Sequence, residues 1–111
     1  MPAPKEYLFV YGTLTDPHIS EQVFGGLPPY TRDSLEGFEK LEASVAGQYP
    51  EVIPCGKEGT AVAGMLLEVS QEELRRADLY ETDLYYRKIL SLKSGRQAWV
   101  YLAARNKANT G

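Results

Sequence analysis

The chain has 111 residues, 43% of them apolar, which is close to the globular average and predicts one domain, residues 1–111, with one hydrophobic core. Twelve Lys and Arg against 15 Asp and Glu leave a net charge of -3 and no basic block, which argues against a nucleic-acid partner. One cysteine, Cys55, and one histidine, His18, argue against an internal disulfide and a Cys/His zinc site.

The first predicted elements are a strand and a short helix joined by a glycine turn. Residues 8–11 form an apolar, β-prone run that stops at Gly12, as expected of a buried strand that enters a turn. Asp16 can cap a first helical turn and the following proline suits the first helical position, so we predict a helix over Pro17–Phe24. Gly25 ends this helix.

The middle of the chain is strand-like but interrupted. Residues 35–41 contain Gly37, and residues 49–54 contain prolines that argue against a central strand position, so both are predicted as edge or loop segments. Residues 60–69 alternate small and apolar side chains and are predicted as a strand. Gly64 within that strand permits a bend or close packing.

A second helix and a hairpin are predicted in the last third of the chain. Ser70 and Glu73 have the spacing of a capping box, so a helix should follow to about Leu79. Residues 86–92 and 97–102 are β-prone runs separated by a short polar turn, which predicts a β-hairpin.

The order of the elements predicts the fold class. Two short helices are too few to cover a doubly wound parallel sheet of about six strands, so we predict an α+β fold. Its sheet should be mixed and strongly curved or barrel-like, with the short helices flanking it. The polar tail, residues 104–111, is predicted to be frayed.

Two segments are candidates for chemistry. In the turn at Tyr11, Gly12, Thr13 and Leu14, glycine lets the backbone approach a ligand, and successive amides can point at a carboxylate or carbonyl oxygen. An ordinary strand-to-helix turn would have the same sequence.

Glu81 lies among aromatic residues at the end of the second helix, where desolvation could raise its pKa toward the working pH of a general base. A solvated glutamate at a helix end is the alternative.

Other polar and aromatic residues have simpler interpretations. Asp78 is interpreted as a structural group that bonds nearby backbone, and Trp99, on a predicted strand, as a core residue. Neither His18 nor Cys55 has an evident activating partner, so a nucleophilic mechanism is not favoured.

Five motifs occur in a fixed order along the chain: Leu8 to Leu14, Tyr49-Pro50 with Val52 to Pro54, Val62 to Gly64 with Leu67 to Val69, Asp78 to Glu81, and Tyr85 to Arg87. In content and order they resemble the gamma-glutamylcyclotransferase-like (AIG2-like) family, over about residues 7–102. The resemblance implies a small mixed β-barrel with flanking helices. It also implies a lyase-type ring closure that releases 5-oxoproline from a γ-glutamyl amide without a cofactor or a metal.

The resemblance also implies roles for individual residues. Glu81 matches the family's acid/base glutamate. Tyr11, Gly12, Thr13 and Leu14 match the family's substrate-holding loop. Tyr85 and Arg87 match the family's Tyr-x-Arg element, which shapes the substrate site.

The expected partner is therefore a small-molecule γ-glutamyl substrate. The sequence does not identify its leaving amine or its pathway. Relatives commonly continue well beyond the last strand, so a more open cavity is expected here. The start lacks a secretory signal and no apolar run approaches the roughly 20 residues of a membrane span, so we expect a cytoplasmic protein without a membrane partner. The oligomeric state stays open.

Two alternatives to a cyclotransferase stay open at this point. One is a non-catalytic module that uses the same fold to bind a small acidic metabolite or a protein partner. The other, a γ-glutamyl hydrolase or amidotransferase accessory, would require a nucleophile that the sequence does not offer.

Overall fold

The computed structural model describes residues 5–106, which form seven strands, two α-helices and three short 3-10 turns. The strands are β1 Lys5–Val10, β2 Tyr30–Glu36, β3 Phe38–Val45, β4 Tyr49–Pro54, β5 Ala61–Ser70, β6 Tyr85–Ser91 and β7 Gln97–Ala103. The helices are α1 Pro17–Phe24 and α2 Gln71–Glu81, and the 3-10 turns are Thr13–Thr15, Thr82–Leu84 and Ala104–Asn106.

Five strands form one mixed sheet in the order β2-β5-β1-β7-β6, and β3 and β4 form a separate pair. The β1–β7 pairing is parallel, and every other strand pairing of residues 5–106 is antiparallel. The predicted α+β class with a mixed sheet and short flanking helices is confirmed. The strand count is seven rather than about six, and the two sheets of the described chain are not hydrogen-bonded into a closed barrel.

The difference in strand count has a local cause at Gly37. The segment 35–41, predicted as one strand-like run, is divided there, because Gly37 has a φ of 81°, which turns the chain between β2 and β3. The two halves then join different sheets. Tyr30–Glu36 was not predicted as a strand because most of its residues are polar.

Helix α1 begins and ends as predicted. The Asp16 carboxylate accepts a hydrogen bond from the His18 amide at 2.9 Å, and Pro17 lies in the first turn. Gly25 ends the helix in the left-handed conformation, with a φ of 81°.

Helix α2 begins at the predicted capping box. The Glu73 amide donates to the Ser70 hydroxyl at 3.0 Å, and the Ser70 amide donates to the Glu73 carboxylate at 2.8 Å. The helix continues to Glu81, two residues beyond the predicted end at Leu79. Neither it nor any other helix within residues 5–106 is long and apolar enough to cross a membrane.

The core consists of two clusters that lie on opposite faces of β1, because successive strand residues point in opposite directions. One cluster packs under the helices and comprises Leu8, Val10, Leu14, Phe24, Leu67, Val69, Leu74, Ala77 and Tyr101. The other faces the β3–β4 pair and comprises Phe9, Tyr11, Leu35, Val52, Val62, Leu66, Leu92, Ala98 and Val100. The end of β1 is therefore packed from both sides, and the turn that follows it starts from a fixed position.

The first three residues of the predicted frayed tail are structured. Ala104–Asn106 form a 3-10 turn, and the Arg105 guanidinium donates hydrogen bonds to the Ser44 carbonyl at 3.2 Å and to the buried Glu51 carboxylate. These bonds attach the end of β7 to the β3–β4 pair. The rest of the predicted tail, residues 107–111, lies outside the described residues.

The close packing predicted at Gly64 is present. A Cβ atom built there would lie 2.4 Å from the Val10 carbonyl oxygen and 2.6 Å from the Phe9 ring. We expect Gly64→Ala to destabilise the protein by about 1–3 kcal/mol, because strand β1 must move to admit the methyl group. Urea unfolding measures this change. The matched control is Gly26→Ala, whose added Cβ meets nothing within 4 Å. Equal unfolding midpoints for the two variants would contradict the packing argument.

Candidate active site

A cavity of about 160 Å³ lies where the end of β1, the start of β4, the end of α2 and the start of β6 meet. The lining residues are Phe9, Val10, Tyr11, Gly12, Thr13, Leu14, Tyr49, Pro50, Tyr80, Glu81, Thr82, Leu84, Tyr85 and Tyr101. They come from distant parts of the chain and meet because β1 lies between β5 and β7 in the sheet.

Six of the seven site residues predicted from the sequence line this cavity: Tyr11, Gly12, Thr13, Leu14, Glu81 and Tyr85. The seventh, Arg87, does not line it. It lies two residues further along β6, a distance of about 7 Å along a strand, and lines a neighbouring groove with Asp78 and Trp99. Arg87 therefore reaches the cavity only through its neighbours.

The turn after β1 leaves backbone donors beside the cavity. The Gly12 carbonyl accepts from the Thr15 amide at 3.0 Å and from the Thr15 hydroxyl at 2.6 Å. The amides of Gly12, Thr13 and Leu14 make no hydrogen bond to any other residue within 5–106, because the first N–H groups of a helical turn have no intrahelical partner. An anionic or carbonyl oxygen in the cavity is the kind of group that such amides bind.

The lack of a side chain at position 12 also accommodates a neighbouring strand. A Cβ atom at Gly12 would lie 3.1 Å from Pro50 Cγ on β4, tighter than an ordinary van der Waals contact. The sequence interpretation considered only the approach of a ligand at this glycine. In the fold, the same residue also lets β4 approach and close one side of the cavity.

Glu81 is the last residue of α2 and is half-buried in the cavity wall. Burial, followed by the negative charge of Asp78, raises its pKa from the ordinary 4.5 to about 7. No residue within 5–106 donates a hydrogen bond to its carboxylate. The group is therefore present in both its acid and its base form near neutral pH.

The residue after Glu81 has a strained backbone that the sequence does not reveal. Thr82 has φ 62° and ψ -164°, a backbone conformation that residues other than glycine rarely adopt. Its hydroxyl donates to the Glu81 carbonyl at 2.5 Å and accepts from the Leu84 amide at 3.3 Å. This conformation ends α2 and turns the chain toward β6 directly beside the candidate acid/base group.

Two tyrosines of the cavity have their hydroxyl groups bound to backbone. The Tyr11 hydroxyl donates to the Tyr101 carbonyl at 2.6 Å, and the Tyr85 hydroxyl donates to the Pro50 carbonyl at 2.6 Å. Burial, with the charge of Glu81 among the smaller causes, raises the pKa of Tyr85 to about 12 and also raises that of Tyr11. Both rings are therefore neutral walls of the cavity at physiological pH.

Sequence reasoning missed Tyr80 and Tyr101. The Tyr80 hydroxyl shares a hydrogen bond of 2.7 Å with the Thr13 hydroxyl, which connects α2 with the turn after β1. Tyr101 packs edge-on against Tyr85, with ring centres 6.4 Å apart. The alternation of side chains along β7 places Tyr101 on the same face as Trp99, but only the parallel pairing with β1 brings it to the cavity.

Asp78 and Trp99 differ from their sequence interpretations. Within residues 5–106, the side chain of Asp78 bonds no nearby backbone. Its carboxylate accepts from Arg87 Nε at 2.8 Å and Nη2 at 3.0 Å, and from the Tyr101 hydroxyl at 2.7 Å. Trp99 is half-buried and packs against the core cluster under the helices. Its ring also lies 4.3 Å under the Arg87 guanidinium, and its Nε1 donates to the Glu6 carboxylate at 2.9 Å. The helix end is thereby connected to two strands.

A family model described as gamma-glutamyl cyclotransferase, AIG2-like, matches residues 8–111. A solved protein from Arabidopsis thaliana superposes with a TM-score of 0.77 and 25% identity, covering 96% of this chain and 72% of its own. An AIG2-like protein from Mus musculus has a TM-score of 0.71 at 24% identity, covering 90% of this chain and 78% of its own.

A further structure described as gamma-glutamyl cyclotransferase has a TM-score of 0.72 at 13% identity, covering 90% of this chain and 67% of its own. At these low identities, the likeness to it and to the mouse protein shows the fold alone. No curated protein matches the chain.

The strain at Thr82 predicts an order of stability for two variants. Thr82→Gly and Thr82→Ala both lose the hydroxyl, and they differ only in the Cβ atom that disfavours a φ of 62°. We expect Thr82→Gly to be more stable than Thr82→Ala by about 1 kcal/mol or more. Thermal or urea unfolding of the pair measures the difference. An alanine variant at least as stable as the glycine variant would contradict the strained backbone.

The raised pKa of Glu81 predicts a pH dependence of stability. Between the ordinary value of 4.5 and about 7, the folded protein binds more protons at this group than the unfolded chain does. The contribution of Glu81 to stability therefore falls as pH rises through this window and is constant above it. We expect the stability of Glu81→Gln relative to wild type to increase from about pH 5 to about pH 7, measured by urea unfolding. A difference that stays constant across the window contradicts the raised pKa.

Proposed function

Because the chain belongs to the gamma-glutamyl cyclotransferase, AIG2-like family, we propose that it releases 5-oxoproline from a γ-glutamyl amide, with Glu81 as the general acid/base. One observation carries the proposal. The sheltered carboxyl group of Glu81 and the unpaired amides of Gly12, Thr13 and Leu14 belong to residues that line one cavity.

The proposed reaction needs no protein nucleophile and no cofactor. The α-amine of the substrate attacks its own γ-carbonyl carbon, a C–N bond forms to close the five-membered ring, and the C–N bond to the leaving amine breaks. A site that holds the amine and the carbonyl in contact supplies most of what such a reaction needs, because oriented intramolecular reactions reach effective molarities of about 10⁵ M and above.

Glu81 carries the proton in both directions. Its carboxylate takes a proton from the substrate α-ammonium group and so makes the amine nucleophilic. Its acid form then gives that proton to the departing amine as the C–N bond breaks. The restored carboxylate takes the second proton from the ring nitrogen, which becomes the lactam N–H, and passes it to the released amine. A pKa of about 7 suits both steps, because neither transfer is then strongly uphill at neutral pH.

The turn after β1 supplies the electrostatic part of the mechanism. In the proposal, the amides of Gly12, Thr13 and Leu14 bind the α-carboxylate of the substrate or the oxyanion that develops on its γ-carbonyl. The neutral rings of Tyr11, Tyr85 and Tyr101 limit access of water and strengthen these interactions. In the proposal, the glutamyl part of the substrate occupies the cavity and the amine part lies at its mouth.

A non-catalytic module that binds a small acidic metabolite or a protein partner is the alternative function on this fold. A carboxyl group in the cavity wall argues against it, because the ionised form of Glu81 would repel an anionic ligand and contribute nothing to its affinity. A general acid/base has a use for that group.

We expect Glu81→Gln to fold normally and to lose about 10²- to 10⁴-fold in turnover, because glutamine cannot transfer the proton. The assay incubates the full chain with γ-glutamyl amino acids, γ-glutamylamines and other γ-glutamyl amides and measures 5-oxoproline. Circular dichroism compares the folds.

The matched control is Glu21→Gln, an exposed glutamate on α1 that does not line the cavity. It should turn over like wild type. A Glu81→Gln protein that keeps more than about a tenth of wild-type turnover contradicts the proposed role. Absence of 5-oxoproline with every substrate would favour the binding module.

A further inference from the structure

The side chain of Asp78 holds the last turn of α2 to β6 and β7, in addition to the hydrogen bond between Tyr80 and Thr13. Its carboxylate accepts hydrogen bonds from Nε and Nη2 of Arg87, on β6, and from the hydroxyl of Tyr101, on β7. These bonds are 2.7–3.0 Å long, and a planar guanidinium that binds both oxygens of a carboxylate constrains orientation as well as distance. One carboxylate therefore connects the helix to two neighbouring strands.

The Arg87 side chain is itself held in place on its other face. Its guanidinium stacks 4.3 Å above the Trp99 ring, and the Trp99 indole nitrogen donates to Glu6 on β1. Stacking over an aromatic face suits the flat guanidinium and not a compact ammonium group. The position of the Asp78 carboxylate thus depends on three strands of the same sheet.

Glu81 lies three residues after Asp78 on the same helix, so that their Cβ atoms are about 5–6 Å apart. The two side chains face different surroundings: Glu81 lines the cavity, whereas Asp78 lies in the groove behind it. The wall between the two spaces includes Thr82, Tyr85 and Tyr101, which line both. Whatever fixes Asp78 also fixes the helix turn from which Glu81 extends.

Asp78 is also the charged group that acts most directly on Glu81. The other ionisable groups of the cavity wall are five tyrosines: Tyr11 after β1, Tyr49 on β4, Tyr80 on α2, Tyr85 on β6 and Tyr101 on β7. Burial raises the pKa of Tyr11, Tyr85 and Tyr101, which keeps them neutral. The buried carboxylate of Glu51, on β4, is bound by Arg105.

We propose that Asp78 and Arg87 are positioning residues: their ion pair fixes the last turn of α2 on the sheet and sets the net charge that the Glu81 carboxyl group faces. The catalytic consequence rests on the proposed function of Glu81. The electrostatic consequence does not, because it concerns the titration of Glu81 in the free protein.

The ion pair makes two single substitutions act in opposite directions. Asp78→Asn removes the negative charge and leaves the Arg87 cation without its partner, so the pKa of Glu81 should fall. Arg87→Met leaves the Asp78 carboxylate without its counter-ion, so the pKa of Glu81 should rise. A neighbouring charge shifts a carboxyl pKa by about a unit or more, so we expect a shift of roughly half a unit or more in each variant. A general loss of packing would not produce opposite signs.

The experiment is a carboxyl ¹³C NMR titration of the full chain, with the Glu81 signal assigned by its absence from Glu81→Gln. Wild type, Asp78→Asn, Arg87→Met and the double variant are compared. The double variant should titrate between the two single variants, since it carries neither charge. Arg87→Lys is the second test of the pair, should Arg87→Met unfold. It keeps the positive charge but loses the two-pronged bond.

Arg87→Lys also separates charge from position. Its Glu81 pKa should stay close to that of wild type, whereas turnover of the γ-glutamyl amide that wild type processes best should fall several-fold through kcat, because the helix end is less well fixed. In Asp78→Asn, Arg87→Met and the double variant, the apparent pKa of the acid limb of the pH profile of turnover should shift in the same direction as the Glu81 pKa measured by NMR.

Shifts of the same sign in Asp78→Asn and Arg87→Met, or the absence of a shift in both, would overturn the electrostatic part of the proposal. Wild-type kcat in Arg87→Lys would overturn the positioning part. A wild type with no turnover on any γ-glutamyl amide would contradict the proposed function instead, and the NMR titration would still decide how the ion pair acts on Glu81.

Discussion

The position of the candidate acid/base group depends on one carboxylate and the three hydrogen bonds that it accepts. The Asp78 carboxylate accepts hydrogen bonds from Arg87 and Tyr101 on adjacent strands. These bonds attach the end of α2 to the part of the sheet where β1 and β7 run in parallel. Together with the Tyr80–Thr13 hydrogen bond and the packing of Ala77 in the core, this attachment places the last residue of the helix beside the turn after β1. The attachment is polar and half-buried, so its value lies in fixing geometry more than in adding stability.

Several features of the cavity are unfavourable for the folded state. A carboxyl group is partly removed from water at Glu81, and Thr82 adopts a backbone conformation that few residues other than glycine tolerate. The capping box at the other end of α2 and the close packing of Gly64 against β1 are favourable and lie away from the cavity. This division is common in enzymes, where the residues of a site are selected for chemistry and the surrounding fold offsets their cost.

The elements that sequence reasoning located correctly are those whose signals are local. Asp16, Pro17 and Gly25 define α1, and the capping box defines the start of α2, because each acts on backbone groups within a few residues. The elements that it missed depend on distant partners. Strand β2 is mostly polar and is a strand because it pairs with β5. The one site residue that lies outside the cavity, Arg87, follows the same rule, since its partner is on another element. The end of α2 is a different case, since it is marked by the backbone conformation of the next residue, Thr82, which the sequence does not reveal.

By itself, the sequence determined the fold class and the two helices, because these follow from local chemistry or from motif order. It left a bend or close packing open at Gly64, where the structure shows close packing, and it proposed the loop and Glu81 as site residues. Only the tertiary structure decided that the loop and Glu81 share one cavity with Tyr49, Tyr80, Tyr85 and Tyr101. It also decided that Asp78 is bound by Arg87 and Tyr101. The physical reason is that a pKa, a cavity and an ion pair are properties of groups brought together across the sheet. Their sequence separations of up to 90 residues, as between Tyr11 and Tyr101, leave no periodic or local signal.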